Sequence, residues 1–195
     1  MLARGQLRGF LGPGPVEAQI EHSLGFYALV PRAPQTAVDL GSGGGVPGLV
    51  LAEAWPESRW VLLDVSRRRT TFLTEAVEAL GLGHRIEVIT QRAELTGRDP
   101  ARRARADLVV ARSFGRPAVT AECAAPLLRK GGSLVVAEPP GGAPARWPPA
   151  PLALLGLVPD GRQTSPFALQ RLLQAELCPP RYPRRTGVPA KRPLY

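Results

Sequence analysis

The segment Ala37-Val-Asp-Leu-Gly41-Ser-Gly-Gly-Gly45 is the strongest constraint on what this chain can fold into. A short apolar run reaches an acid and then glycines at alternating positions, and a stretch of helical character follows. That order reads as a buried strand, a sharp turn and a helix. Glycine permits the turn and lets backbone N–H groups approach a ligand that a β-carbon would hold away. Val46 to Ala54 reads as the helix, with Pro47 suited to its first turn and Pro56 ending it. Trp60 to Asp64 reads as a second buried strand, and Asp64 stands 23 residues after Gly41, where a carboxylate can accept both hydroxyls of a ribose. Strand, loop, helix and acid together describe a site for an adenosine-containing cofactor at the carboxyl edge of a parallel sheet.

The alternation continues along the chain. Phe72, Leu73, Ala76, Val77 and Leu80 fall on one stripe of a helix that stops at Gly81 or Gly83, and Ile86 to Ile89 is the next strand. Gln91 to Ala106 reads as a polar, arginine-rich loop and Asp107 to Ala111 as the fourth strand. A helix is expected from about Pro117 to Leu128, then the turn Lys130-Gly-Gly132 and a fifth strand, Ser133 to Ala137. The run from Pro139 to Pro151 is too rich in proline for a regular helix or central strand and reads as a loop or lid. A short unit near Leu152 to Val158 and a strand near Phe167 to Gln174 close the domain, and the tail from Pro179 to Tyr195 reads as extended. The class is α/β, with a mostly parallel sheet covered by helices on both faces. Residues 1–30 are assigned to an N-terminal helical cap, 31–178 to the cofactor-binding domain and 179–195 to a basic Pro/Arg-rich tail.

At 195 residues and 44% hydrophobic, the chain is long enough for one well-buried domain, which excludes a disordered polymer. It has no apolar run near the ~18 residues of a spanning helix, and its first residues lack the apolar core of a secretory signal, so a cytoplasmic protein with no membrane contact is expected. Cys123 and Cys178 stand far apart, and His22 and His84 lie away from both, so neither a disulfide framework nor a metal site is expected. The net charge is +9. Residues 113–195 carry 11 basic and 4 acidic side chains, against 4 and 6 in residues 1–66. A polyanionic partner such as RNA accounts for that asymmetry. Genome composition is the competing account, because 23 of the 25 basic residues are Arg and the chain is crowded with Ala, Gly and Pro, all with GC-rich codons.

Two cofactors compete for the glycine loop. Gly43-x-Gly45-x-x-Gly48 matches the dinucleotide fingerprint, with Pro47 inside it, and would suit an NAD-dependent oxidoreductase. Asp39-x-Gly41-x-Gly43-x-Gly45 is the pattern of class I S-adenosylmethionine-dependent methyltransferases, whose cofactor has no pyrophosphate, and this register is favoured.

The sequence resembles the family of bacterial ribosomal RNA small-subunit methyltransferase G, also called glucose-inhibited division protein B, over nearly the whole chain. Asp39 to Gly48 looks like the family's cofactor loop, including the Pro-Gly after the third glycine. Leu62-Leu-Asp64 followed by Arg67-Arg-Arg-Thr-Thr-Phe-Leu73 is similar to its second strand and the basic start of the next helix. Arg92-Ala-Glu94 resembles its adenine-side turn, Asp107 to Arg112 its fourth strand, and Arg181-Tyr-Pro-Arg-Arg-Thr-Gly-Val-Pro-Ala-Lys191 its basic C-terminal extension. There are departures. The family has further helices before the segment resembling Arg8 to Pro13, so either a truncated start or a reduced cap is expected, and Glu138-Pro-Pro140 stands where the family tends to have a lysine-glycine pair.

The resemblance implies a Rossmann-like class I fold and methyl transfer from S-adenosyl-L-methionine to N7 of a guanine in small-subunit ribosomal RNA, with that RNA or the small subunit as partner and the protein a monomer. It places the cofactor against Gly41 and Val46 of the loop, Ala93 and Glu94 on the adenine side, Arg112, and Asp64 on the ribose. Asp39, Gly43 and Gly45 belong to the same motif, with Asp39 bonded to loop amides or to the cofactor's ammonium group. Guanine N7 has a lone pair and no proton to lose, so no general base is needed and catalysis is positioning. Arg112 and Arg116 are the positioning candidates, Arg181, Arg184, Arg185 and Lys191 the RNA contacts, and Phe114 or Trp147 the group that stacks on the base. Glu94 capping a turn and Arg112 paired with Asp39 or Glu138 are the structural alternatives. Another RNA or a small-molecule acceptor, and an RNA-binding module without catalysis, are the functional ones.

Overall fold

The protein is built on a sheet of seven strands, seen in a computed structural model that describes residues 1–141 and 144–195. The strands are β1 (Thr36–Leu40), β2 (Arg59–Asp64), β3 (Ile86–Thr90), β4 (Ala106–Ala111), β5 (Leu128–Ala137), β6 (Leu157–Gln163) and β7 (Leu169–Gln174). Their order is β3-β2-β1-β4-β5-β7-β6. β1 to β5 are parallel, and β7 runs antiparallel to both β5 and β6. From β1 the chain steps outward to β2 and then returns to place β4 on the other side, so the strand order reverses between β1 and β4. The crevice for a ligand opens there, beyond their carboxyl ends.

Around the sheet lie α1 (Leu2–Leu7), α2 (Val16–Leu24), α3 (Gly48–Ala54), α4 (Arg67–Ala79), α5 (Ala93–Thr96), α6 (Pro117–Ala124), α7 (Pro149–Ala153) and α8 (Val188–Lys191). Each face of the sheet buries its own core. On one, Leu62, Phe72, Leu73 and Val110 pack together; on the other, Leu40, Val109, Leu127 and Leu172. The central strands are apolar on both sides because both faces are covered. No helix among the described residues is long and apolar enough to cross a membrane.

Several local expectations are corrected. The helix after the glycine loop starts at Gly48, with Pro47 as its cap residue after a cis Val46–Pro47 bond. β5 takes up Leu128 to Gly132, expected as helix end and turn: Leu128 pairs with Ala106 and Ser133 with Leu108, and a bulge absorbs the difference. The loop from Gln91 contains α5, and the proline-rich run contains the start of α7, whose first positions tolerate proline. Residues 142 and 143 of that run lie outside the described residues. The tail is folded rather than extended: Tyr182 is buried and α8 lies against α6. Residues 1–12 are also packed down. Gly5 sits under the Phe72 ring, the Phe10 ring lies 5.6 Å from it, and Arg8 reaches over it to Glu75 at 3.1 Å.

Candidate active site

Asp39 is the penultimate residue of β1 and has no exposure to solvent. Its Oδ2 accepts the Gly48 N–H at 2.9 Å and so fixes the start of α3, while Oδ1 has no partner among the described residues. Burial pushes its carboxyl up to about 7, against the opposing pull of the Gly48 N–H. Of the partners expected for Asp39, loop amides or the cofactor's ammonium group, an amide is present, that of Gly48 at the helix start.

The turn itself is held by β2. The N–H groups of Gly41 and Ser42 both donate to the Leu63 carbonyl, at 2.8 and 3.0 Å. Asp64 accepts the Gly43 N–H at 3.0 Å on Oδ2 and the Ser66 N–H at 2.8 Å on Oδ1, with Arg69 3.5 Å away. One carboxylate thus ties the glycine loop to the start of α4. Gly41 has no substitute on two counts: its φ is +78°, and a β-carbon there would stand 2.7 Å from the Phe114 ring. Gly45 closes the turn, its N–H donating to Ser42 at 2.7 Å.

The short loop after β4 faces this turn. Arg112 donates through Nη2 to Gln19 of α2, and its Nη1 is buried with no partner among the described residues. Burial lowers its pKa and the Asp39 carboxylate works against that shift. No ion pair forms between Arg112 and either Asp39 or Glu138; Glu138 instead meets Arg146 at 2.7 Å. Ser113 holds φ +57°, a conformation that costs a residue with a β-carbon energy and tends to persist at functional sites.

Three adjoining cavities surround these groups, and Ser113 lines all three. One of about 140 Å³ lies over the glycine turn, between Gly41–Gly44, Val46 and Arg112 on one side and Phe10–Gly12 of the cap on the other. One of about 270 Å³ is lined by Asp64, Ala93, Glu94, Phe114 and Ala190. The largest, about 570 Å³, is lined by Gln19, His22, Arg112, Phe114, Glu138 and Trp147. Two further cavities, of about 380 and 650 Å³, lie at the amino edge of the sheet and contain none of these side chains.

The structure therefore brings Gly41, Val46, Asp64, Ala93, Glu94 and Arg112 to one crevice, with Asp39 beneath it. Glu94 accepts the Gly187 N–H at 2.8 Å, a bond to the tail rather than a cap on its own turn. Arg116 is exposed at the start of α6 and lines none of the three cavities. Trp147 is 2% exposed and belongs to the core beside the third cavity, whereas Phe114 is half-buried between the second and third. In the tail, Arg181, Arg185 and Lys191 are exposed, but Arg184 grips the buried Glu122 at 2.6 Å and is not free for a phosphate. Sequence reasoning missed Phe10 to Gly12, Gln19, Ser113, Glu122 and Gly187. Only Glu122 carried a signal, as the sole acid in the otherwise uncharged stretch Pro117–Ala124.

Chemically, the crevice offers carboxylates for a nucleoside and an unpaired buried couple of opposite charge, Asp39 Oδ1 and Arg112 Nη1. It offers no activated nucleophile: burial holds the Cys123 thiol far above its ordinary pKa.

A family model described as rRNA small subunit methyltransferase G (GidB) matches residues 16–138. Among curated relatives of that name, the protein of Rubrobacter xylanophilus is 39% identical over 84% of this chain and 66% of its own length. That of Prochlorococcus marinus strain MIT 9313 is 39% identical over 84% and 69%. The chain thus spans about two thirds of the length of the curated relatives it matches. Among solved structures, cofactor-bound Rv0187 from MTB aligns over 90% of this chain and 88% of its own, with TM-score 0.62 at 19% identity. An O-methyltransferase family protein from Burkholderia thailandensis aligns over 82% and 58%, with TM-score 0.58 at 15% identity. The fold is that of the class I methyltransferases, Rossmann-like with an antiparallel seventh strand.

Proposed function

Because the chain belongs to the rRNA small subunit methyltransferase G family, we propose that it transfers the methyl group of S-adenosyl-L-methionine to N7 of a guanine in small-subunit ribosomal RNA. The observation that carries this reading is the crevice at the switch point of the sheet, where the glycine turn, Asp64 and Glu94 converge. The residues present fit the cofactor. Its amino-acid end carries an ammonium and a carboxylate, the complements of Asp39 Oδ1 and Arg112 Nη1, two of the buried polar atoms without hydrogen-bond partners among the described residues and the pair that stands beside the glycine turn. Asp64 and Glu94 supply acceptors for ribose hydroxyls and an adenine amine, and Phe114 walls off the ring.

Bound there, the sulfonium provides an electrophilic methyl group. The protein's part is placement: Phe114 and Ser113 stand between the cofactor side and the 570 Å³ cavity, so a base admitted beside Glu138 and Trp147 meets the methyl at a fixed approach. No proton leaves guanine N7 in the transfer, so the step calls for no general base. Arg181, Arg185 and Lys191, with Arg192 beside them, are exposed tail groups available to phosphates.

The test is transfer of labelled methyl from S-adenosylmethionine to small ribosomal subunits lacking the modification, followed by nucleoside mass spectrometry. N7-methylguanosine is expected, and Asp64→Ala should abolish it. A different acceptor is the second reading, favoured by the Glu138–Arg146 pair, which puts an acid in the lining of the 570 Å³ cavity. Cofactor binding without methylation of the subunit would select it.

A further inference from the structure

α6 forms one wall of the nucleoside side of the crevice and is made of Ala, Val, Thr and Cys beside its proline and one acid, Glu122, whose side chain is 0% exposed. A carboxylate this far from water requires partners. Arg184 supplies three hydrogen bonds: its backbone N–H and Nε donate to Oε1 at 2.9 and 2.8 Å, and Nη2 donates to Oε2 at 2.6 Å. Two arginines from the loop after α5 hold the same stretch of tail. Arg98 donates to the Pro183 carbonyl at 2.9 Å, and Arg103 to those of Cys178, Pro179 and Tyr182 at 2.7, 2.9 and 2.8 Å.

Three residues past Arg184 the chain turns at Gly187, at φ +80°, where a side chain would be strained. The Gly187 N–H then donates to Glu94 Oε1, and Ala190 completes the cavity that holds Asp64, Ala93 and Glu94. Glu94 Oε2 has no hydrogen-bond partner among the described residues. With one oxygen pinned by a backbone N–H, the other is presented in a fixed direction, suited to accept from an exocyclic purine amine.

We propose that the Glu122–Arg184 clamp is a positioning pair for cofactor selectivity: it seats the tail so that Gly187 orients Glu94 toward the adenine amine. The tail is then a wall of the cofactor site, and Arg184 acts on the cofactor through Glu94 rather than on RNA. The inference rests on the reading of this crevice as an S-adenosylmethionine site.

The test uses the full chain without RNA. Calorimetry would compare S-adenosylhomocysteine with its inosine counterpart, in which a carbonyl replaces the adenine amine. The unaltered protein should prefer the adenine ligand by on the order of tenfold or more. Arg184→Met should lose most of that preference by weakening the adenine ligand alone, and Arg184→Lys should keep part of it. Equal weakening of both ligands would mark the clamp as structural only and overturn the proposal, as would an unchanged preference. If Arg184→Met fails to fold, Glu122→Gln, which keeps the volume of the buried side chain, decides the matter by the same two criteria. Binding of neither ligand by the unaltered protein would overturn this proposal together with the proposed function, whereas binding without a clamp effect would leave that function standing.

Discussion

Asp39 shows how one residue links stability to ligand. Its carboxyl titrates near 7 in the folded chain against an ordinary value of 3.8, because burial disfavours the charge. The folded state therefore holds a proton that the unfolded state releases over that interval. The contribution of this group to stability is fully present below about pH 4 and is lost as the pH rises through about 7. Asp39→Asn keeps an acceptor for the Gly48 N–H and removes the titration, so thermal melts of the variant should fall less steeply over that window; identical profiles would refute the assignment. Ser113 is the second such residue. Its φ of +57° is tolerable for serine and severe for a β-branched side chain, so Ser113→Val should cost about 1–3 kcal/mol in denaturant unfolding while Ser113→Gly should not. At Gly41, alanine would drive a β-carbon toward the Phe114 ring, and the expected result is weaker cofactor binding with the fold retained.

Among the elements, α1 and the turn after it have little core of their own and depend on α4. Phe72 is fully buried under Gly5 and Phe10, and the Arg8 guanidinium lies 5.4 Å from its ring centre. Phe72→Ala should cost about 3–5 kcal/mol. It should also raise amide exchange in residues 1–12 more than in β1, because Gly5 and Phe10 lose the ring they rest on while β1 keeps its ladders to β2 and β4. Uniform exchange would mean that the cap and sheet open together. The element scale also explains why local pattern placed α3 and β5 imperfectly. Proline at position 47 is compatible with a first helical turn, but Asp39 selects the Gly48 N–H, and that long-range bond sets where α3 begins. Lys130-Gly-Gly132 has the composition of a turn, yet pairing of Leu128 with Ala106 draws it into β5 as a bulge.

At the scale of the whole molecule, the excess positive charge is unevenly committed. Arg98, Arg103 and Arg184 hold the tail in place, while Arg181, Arg185 and Lys191 stay exposed. Replacing Arg181, Arg185 and Lys191 with Ala should lower the magnitude of the log–log salt slope for binding a small-subunit RNA fragment by about 2, at ~0.7 per phosphate contact on single strands. An unchanged slope would remove the tail from the RNA-binding surface. By itself the sequence determined the α/β class, the glycine turn and the acids near the carboxyl ends of β1 and β2, because periodicity, turn chemistry and motif spacing are local properties of the chain, and its resemblance to known motifs pointed to the family. Only the tertiary structure decided what those groups bond to. Arg112 meets Gln19 and Glu94 meets Gly187 across 93 positions, and Glu122 meets Arg184 across 62. No local pattern records such distances. The partners are chosen by the need of each buried charge or carboxylate for a donor or acceptor once the sheet and its two cores have brought distant segments together.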